Sequence, residues 1–396
     1  MPHQVKRPRV ALLIESSRAY GRGILLGIAK YVREKGPWSI FHQERGLGDS
    51  CPYWLDNWTG DGIIARVDSH PMAVKIAKLG LPVVDVRYCL PDIRMPSVRA
   101  DEETIAHLTA NHLIERGFRN YAFCGFNGAD YSDIRRDLFA RNILHSGFRC
   151  HIFEDYQKPL KPGTCEYEEL GLRYAKSVAK WLLELPKPIG LMACNDIRGQ
   201  QVINACRDKG IVVPDEIAVI GVDNDEILCN LSDPPLSSVV PNCEIIGYEA
   251  AKLLHTMMSG QRSMVETIYV KPAGIVTRRS TEILAIEDSC VAVAAKYIRD
   301  HVCEGINVGD LLKIVPLSRS MLERRFCRAL GHSPKEEILR ARLGEAKKLL
   351  SKTELPQADI AEKIGFEHAE YFNVIFKKKT GQTPGQFRAQ MRDFRI

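Results

Sequence analysis

The sequence predicts two regions of different fold class: a two-lobed α/β region over residues 1–284 and an all-α region over residues 285–396. From residue 10 to about residue 281, short apolar runs alternate with amphipathic stretches, as in a parallel sheet with helices on both faces. About 270 residues of this pattern are more than one core usually holds, which favours two lobes. From residue 291 onward the periodicity is helical throughout.

The α/β region contains six predicted strands and five predicted helices. The strands are continuous apolar runs of four to six residues, at 10–14, 62–65, 82–86, 121–125, 190–194 and 217–222. The helices show apolar residues at three- and four-residue spacing, at 23–34, 103–116, 135–145, 172–185 and 196–209. A boundary near residues 282–290 separates these elements from the helical region.

The helical region begins with a short helix over 308–315 and a second helix over 319–330. Ser318 is placed to cap the second helix, and Gly331 ends it. Leu322 and Phe326 form its apolar stripe, while its other face is polar and basic. Two helices joined by a tight turn in this way are typical of a helix-turn-helix unit near residues 308–330.

The same arrangement recurs near residues 358–380. A short helix over 358–364 precedes a longer helix over 368–380, whose apolar stripe is Phe372 and Phe376. The residues between the two units, 334–350, are long enough for a connecting helix. The region therefore predicts a double helix-turn-helix domain.

Charge distinguishes the two regions. The chain has a net charge of +6, and the whole excess lies in residues 288–396, which hold 20 basic and 14 acidic residues. A basic excess confined to one segment points to a polyanionic partner for that segment. No apolar run approaches the ~20 residues of a membrane helix, and the basic start is too short for a signal peptide. We therefore expect no membrane partner and a cytoplasmic protein, associated with the nucleoid when bound to DNA.

Three motifs that suggest other chemistry are weak. The glycines of Gly21–Gly27 follow a strand, but their spacing is GxGxxxG and six residues replace the tight turn of a dinucleotide site. His107 and His112 are five residues apart and do not share a helix face as a zinc pair does. No GxSxG motif or P-loop occurs. We expect no cofactor, no metal and no catalytic residue, and therefore no enzyme.

The C-terminal residues carry a family signature. They read Ile360-Ala-Glu-Lys-Ile-Gly-Phe366 and Phe376-Lys-Lys-Lys-Thr-Gly-Gln-Thr-Pro-Gly-Gln-Phe-Arg388. This pattern resembles that of AraC-type transcription regulators, which implies two recognition helices in successive major-groove segments. The resemblance implies base-facing residues at Ser320, Glu323, Arg324, Glu370 and Asn373, with His368 at the rim. Arg319, Arg328 and Lys377 are better suited to phosphate contacts.

Four motifs stand out in the α/β region: Val98-Arg-Ala-Asp101, Asn195-Asp196, Val213-Pro-Asp-Glu-Ile-Ala-Val-Ile-Gly-Val-Asp223 and Gly247-Tyr-Glu-Ala-Ala-Lys-Leu-Leu254. With these motifs the region resembles the ligand-binding domain of LacI-type regulators and periplasmic sugar-binding proteins. The resemblance implies a periplasmic-binding-protein-like sensor domain with a sugar between its lobes. Its pocket positions fall on Asp101, Arg135, Asn195 and Asp223, with Asp196 adjacent and Tyr20 as the stacking residue. Arg136 competes with Arg135, and Asp101 has capping of its helix as an alternative role.

A LacI-like sensor followed by an AraC-like reader is the layout of the regulators of xylose operons, which this chain resembles. The resemblance implies a D-xylose-dependent activator of pentose-catabolism genes. It also implies a double-stranded DNA operator, a small sugar effector, a homodimer and contact with RNA polymerase. The alternative is a carbohydrate-binding protein or carbohydrate enzyme with an appended helical domain.

Overall fold

The computed structural model describes residues 7–47, 49–87, 93, 95–153, 175–260, 267–282 and 288–393. Its contacts divide the chain into two units, Met1–Ile114 with Arg119–Glu282, and Glu115–Phe118 with Ile283–Ile396. The predicted boundary between residues 284 and 285 lies outside the described residues and stays a prediction. None of the described helices is both long enough and apolar enough to cross a membrane.

Within its described residues, the first unit contains two six-stranded sheets. In the first sheet all strands are parallel, in the order β11-β5-β4-β3-β1-β2. These strands are β1 (Arg9–Leu13), β2 (Ser39–His42), β3 (Gly62–Ala65), β4 (Val83–Asp85), β5 (Ser97–Ala100) and β11 (Thr267–Val270).

The second sheet has the order β12-β10-β9-β8-β6-β7. Its strands are β6 (Asn120–Cys124), β7 (Cys150–Ile152), β8 (Ile189–Ala193), β9 (Ile217–Val222), β10 (Ser237–Val240) and β12 (Gly274–Val276). The edge strand β12 pairs antiparallel to β10, so the expectation of purely parallel sheets is wrong at this edge. The chain crosses between the sheets after β5, after β10 and between β11 and β12, which makes two lobes from interleaved segments.

Helices flank both sheets, as the alternating pattern predicts. They are α1 (Ala19–Lys35), α2 (His70–Lys78), α3 (Glu102–Ile114), α4 (Asp130–His145), α5 (Ala175–Glu184), α6 (Asp196–Asp208), α7 (Glu226–Leu231) and α8 (Cys243–Met258). The start of the predicted helix 172–185 lies outside the described residues. Helices α1 and α4 begin four and five residues before their predicted starts, because their first turns are not apolar and lack the helical stripe.

All six predicted strands are confirmed to within one residue at each end. Strands β5 and β10 were not predicted because serines interrupt their apolar pattern. Ser97, Ser237 and Ser238 are all fully buried, and each side chain forms hydrogen bonds inside the protein. A buried polar group needs a partner, and these serines find one only in the folded chain.

The second unit is entirely helical in its described residues from 288 to 393. Its helices are α9 (Ser289–Asp300), α10 (Val308–Ile314), α11 (Arg319–Leu330), α12 (Pro334–Lys352), α13 (Gln357–Lys363), α14 (Ala369–Thr380) and α15 (Pro384–Asp393). Leu322 and Phe326 are buried in one core, and Phe372 and Phe376 in another. The predicted double helix-turn-helix fold is therefore confirmed, with Ser318 capping α11 through the backbone N–H of Met321.

Glycines bring α1 and α8 into close contact. A Cβ atom on Gly27 would overlap the carbonyl oxygen of Glu244, and one on Gly247 would overlap that of Ile24. Gly27, the last glycine of the GxGxxxG motif, therefore has a packing role: together with Gly247 it allows two helix backbones to approach where a side chain does not fit. Such a contact cannot relax by rotating a side chain, since the obstructing atoms belong to the backbone.

We predict that Gly27→Ala lowers the free energy of unfolding by about 1–3 kcal/mol, the usual cost of overpacking. Gly344→Ala is the matched control, because Gly344 is exposed in the middle of α12 with nothing near its Cβ position. Alanine there is expected to add about 0.5–1 kcal/mol through helix propensity. Thermal unfolding of the full chain tests both, and an unchanged midpoint for Gly27→Ala would contradict the packing role.

Candidate functional site

A cleft lies between the two lobes of the first unit and is lined from both. Its unfilled space, including the open mouth, is about 810 Å³. Five of the six predicted ligand residues line the cleft: Tyr20, Arg135, Asn195, Asp196 and Asp223.

The parallel strands explain why these residues meet. Asn195 and Asp196 follow β8, Asp223 follows β9, and Tyr20 lies in the first turn of α1, the helix that follows β1. The carboxyl ends of parallel strands share one edge of a sheet, where open α/β folds bind ligands. Asp223 has a φ of 107°, in the left-handed region, so the chain turns sharply as it leaves β9.

Arg135 is buried at the base of the cleft. Its guanidinium donates to both carboxylate oxygens of Glu102, at 2.7 and 3.0 Å, and to the Cys194 carbonyl at 2.6 Å. Asp223 lies 4.0 Å away. Burial acts to lower the pKa of Arg135, but Glu102 and Asp223 outweigh it and the pKa rises. The arginine is thus a fixed cation with its donors aimed at the cleft wall.

Arg136, the competing candidate, is not among the cleft residues. It donates to Asp133 at 2.8 Å and to Asp137 at 2.8 Å on the more exposed side of α4. The two arginines are adjacent on a helix and so point about 100° apart. The structure places Arg135 in the cleft and Arg136 outside it.

Asp196 is almost fully buried, and both of its carboxylate oxygens accept hydrogen bonds. Ser238 donates its hydroxyl to one oxygen at 2.5 Å, and the backbone N–H of Asp225 donates to the other at 2.7 Å. Burial, and then the charge of Asp223, raise the pKa of Asp196 well above that of an ordinary carboxyl group. Asp196 therefore holds the neighbouring loop in place as well as lining the cleft.

Asn195 and Asp101 both serve as helix caps. The side-chain oxygen of Asn195 accepts from the backbone N–H of Arg198 at 2.9 Å, and its amide donates to the Tyr131 hydroxyl at 3.4 Å. Asp101 accepts from the backbone N–H and the hydroxyl of Thr104, at 3.0 and 2.6 Å. Asp101 is not among the residues that line the cleft, so the structure places it in the capping role rather than with the other five.

Several charged cleft residues were not predicted. Arg66 pairs with the buried Glu15, and its guanidinium lies 5.2 Å from the centre of the Tyr20 ring. Arg87 donates to Asp130 at 3.0 Å, which joins the first lobe to the second. Arg66 directly follows β3 and Arg87 closely follows β4. Their positions just after predicted strands could have identified them as cleft residues.

The cleft is close to electrical neutrality. Its lining carries four arginines and five carboxylates: Arg18, Arg66, Arg87, Arg135, Glu102, Asp130, Asp196, Asp223 and Asp225. Among the described residues, no group of three or more His, Cys, Asp or Glu is arranged to hold a metal ion. The chemistry on offer is therefore a set of hydrogen-bond donors and acceptors around a polar space.

The second unit presents two helices with one polar face each. On α11 the predicted residues Arg319, Ser320, Glu323, Arg324 and Arg328 are all exposed, opposite the buried Leu322 and Phe326. Arg319 lies 3.5 Å from Glu323, one turn along the helix. The Arg324 guanidinium is in contact with the Met321 sulfur at 2.9 Å. These contacts are local and leave the whole face open to solvent.

On α14 the predicted residues His368, Glu370 and Lys377 are exposed, and His368 precedes the first residue of the helix. Asn373 differs from them. Its side-chain oxygen is buried and has no hydrogen-bond partner among the described residues. A bidentate contact with adenine needs both the oxygen and the amide nitrogen. In this conformation Asn373 therefore does not offer the predicted pair.

Comparisons with known proteins agree with both halves of the chain. The family described as XylR N-terminal domain matches residues 9–94, and the periplasmic binding protein-like domain matches residues 110–281. A helix-turn-helix domain family matches residues 311–390. The fold and these matches define a transcription regulator of the AraC type with a periplasmic-binding-protein-like domain.

The xylose operon regulatory protein of Escherichia coli (strain K12) is 31% identical to the chain, over 97% of both. The protein of the same name from Haemophilus influenzae is 30% identical, over 96% of this chain and 98% of its own. A solved structure of the xylose-binding transcription activator xylR matches with a TM-score of 0.62 and 30% identity, over 97% and 98% of the two chains. The chain belongs to the family of xylose operon regulatory proteins, which are transcription regulators and not enzymes.

We predict that stability falls as the pH rises through the pKa of Asp196. Because folding raises this pKa above about 3.9, the ordinary value for aspartate, the group contributes stability that is present at low pH and lost as it ionises in the folded chain. Asp196→Asn should flatten the slope of unfolding free energy above about pH 4, where the group begins to ionise in the unfolded chain.

Asp208→Asn is the control, since Asp208 is exposed at the end of the same helix. Denaturant unfolding at several pH values measures the slopes of the parent and of both variants. If Asp196→Asn keeps the full slope of the parent chain, other groups cause it.

Proposed function

We propose that the chain is a sugar-responsive transcription activator whose effector is D-xylose. The observation that carries this proposal is the cleft, where Tyr20, Arg135, Asn195 and Asp223 meet from two lobes around a polar space. The names of the relatives support xylose as the sugar, because both operon regulators and the solved activator are named for xylose.

The charges in the cleft favour a neutral ligand with many hydroxyl groups. Arg135 is balanced by Glu102, Arg66 by Glu15 and Arg87 by Asp130. A sugar hydroxyl both donates and accepts, so it fits among carboxylates, amides and guanidinium groups. A phosphorylated sugar brings two negative charges to a cleft that has no excess of positive charge. We therefore expect the free sugar to bind and its phosphate to be rejected.

Two ion pairs join the lobes at the rim of the cleft and support a ligand-dependent closure. Arg87 reaches Asp130 at 3.0 Å, and Arg22 reaches Asp225 at 3.7 Å. A sugar that touches both lobes binds more tightly when these contacts are formed. By linkage, it shifts the population towards that arrangement. In a homodimer, this shift would change the spacing of the DNA-binding domains.

The two recognition helices supply the DNA contacts in this proposal. The Arg324 fork suits the two acceptors of guanine, and the Glu323 carboxylate accepts from cytosine. Ser320 lies on the exposed face of α11, and His368 and Glu370 lie at the exposed start of α14. Arg319, Arg328 and Lys377 contact phosphates. The proposal includes a homodimer on a double-stranded operator in the cytoplasm, associated with the nucleoid when DNA is bound, and contact with RNA polymerase for activation.

We predict that D-xylose raises the melting temperature of the full chain. At one hundred times its dissociation constant, a ligand adds about 2.7 kcal/mol to the state that binds it. Asp223→Asn should remove the shift, since it keeps a residue that tolerates the left-handed backbone but loses the carboxylate. Asp101→Asn is the control, because Asp101 lies outside the cleft and should keep the shift.

A panel of other pentoses, hexoses and D-xylose 5-phosphate completes the experiment. A shift with another sugar alone would replace the ligand and keep the cleft. A shift with the phosphate would contradict the argument from charge, and no shift with any sugar would contradict sugar binding.

We predict that DNA affinity falls steeply with salt and that Lys377→Ala lessens this dependence. Each lost phosphate contact should reduce the slope of log affinity against log salt by about 1. Lys296→Ala is the matched control, because Lys296 is equally basic and exposed but lies on α9, outside both helix-turn-helix units. Fluorescence anisotropy with a labelled duplex measures the slopes. Equal slopes for all three proteins would remove Lys377 from the interface.

A further inference from the structure

The two helix-turn-helix units match residue for residue along their second helices. Helices α11 and α14 are each twelve residues long. Each buries its fourth and eighth residues, Leu322 and Phe326 in one and Phe372 and Phe376 in the other. Each ends at a left-handed glycine, Gly331 with a φ of 78° and Gly381 with a φ of 80°. A position in one helix therefore has a structural equivalent fifty residues away in the other.

At the sixth position this equivalence pairs two residues of opposite chemistry. Arg324 occupies it in α11 and Val374 in α14. The third position pairs Met321 with Tyr371. The second helix is thus the more apolar at the sixth position, and both of its side chains are open to solvent: Val374 is 64% exposed and Tyr371 is 59% exposed. Covering such exposed apolar side chains with a partner is favourable, because it removes apolar surface from water.

The surroundings of Val374 indicate what that partner is. Lys377 and Lys378 are exposed one turn further along the same helix, which places positive charge beside the apolar pair. The exposed face therefore combines phosphate-binding groups with an apolar centre. In the major groove, the one apolar group that distinguishes a base is the C5-methyl of thymine. Asn373, the polar neighbour, has its side-chain oxygen turned into the protein.

We propose that the second recognition helix selects thymine through apolar contact of Val374 with its C5-methyl group. The first helix selects guanine at the equivalent position through Arg324. The two units then impose different chemical preferences on the two halves of one site. This inference rests on the proposed function, because it requires that both helices enter the major groove.

The test begins with selection of binding duplexes from a randomised DNA library, with the full chain and D-xylose present. In the duplexes selected by the parent chain, single thymines are then replaced by deoxyuridine, which lacks only the methyl group. At the contacted thymine we expect about fourfold weaker binding, the effect of exposing one methyl-sized apolar group. Val374→Ala should bind the thymine and deoxyuridine duplexes equally well.

Two further variants identify the position and the helix. Val374→Arg makes the second helix like the first, so selection should replace thymine by guanine at that position. Arg324→Ala should relax the other half of the site and leave the deoxyuridine effect unchanged. Val293→Ala is the control, because Val293 is 49% exposed on α9, outside both units. It should keep both the selected sequence and the fourfold effect.

The outcomes separate this inference from the proposed function. A parent chain that selects a defined sequence but tolerates deoxyuridine at every thymine would overturn thymine selection and leave DNA binding in place. Persistence of the deoxyuridine effect in Val374→Ala would also overturn it, since another residue would then contact the methyl. Selection of no sequence by the parent chain would overturn both proposals.

Discussion

The ligand edge of the second lobe depends on one buried carboxylate, Asp196. It lies at the start of α6 and accepts hydrogen bonds from Ser238 in β10 and from the backbone of Asp225 before α7. Gly221 in β9 leaves the space that this side chain occupies. Three segments far apart in sequence are thereby held at one point. Asp223 lies between β9 and Asp225, so these contacts help to hold it in the cleft, together with its own backbone hydrogen bond to the Val239 carbonyl at 3.0 Å.

Buried serines continue this network away from the cleft. The Ser237 hydroxyl interacts with Thr281 at 2.7 Å, and the Ser280 hydroxyl donates to the Val219 carbonyl at 2.6 Å. His112 reaches the same Thr281 hydroxyl at 2.9 Å. The last described residues of the first unit are therefore bonded into the second lobe. Polar groups with every partner satisfied specify one packing arrangement, because a shifted strand would leave some of them unpaired.

In the helical unit, the two helix-turn-helix units repeat the same apolar packing and differ on their exposed faces. The buried pairs Leu322 with Phe326 and Phe372 with Phe376 occupy the same positions of two helices of the same length. Packing constrains these positions, whereas the exposed sixth positions carry arginine in one unit and valine in the other. A repeated scaffold with unlike faces can bind two different half-sites, since recognition residues change without cost to the cores.

The sequence by itself determined the fold class, the order of the elements and the two helix-turn-helix units. Continuous apolar strands such as β9 and strictly spaced stripes such as that of α11 report their burial directly, because burial is what selects their side chains. The family resemblance of the sequence also named five residues that line the cleft, and two of them, Asn195 and Asp223, directly follow parallel strands, whose ends share an edge. Only the tertiary structure decided which partner each polar group meets. It separated Arg135 from Arg136 and placed Asp101 in a cap. It showed that β5 and β10 are strands that contain buried serines, and that the side-chain oxygen of Asn373 is buried. The pairing of Arg135 with Glu102, of Ser97 with Thr267 and of Ser238 with Asp196 joins residues distant in the chain, which no local pattern encodes.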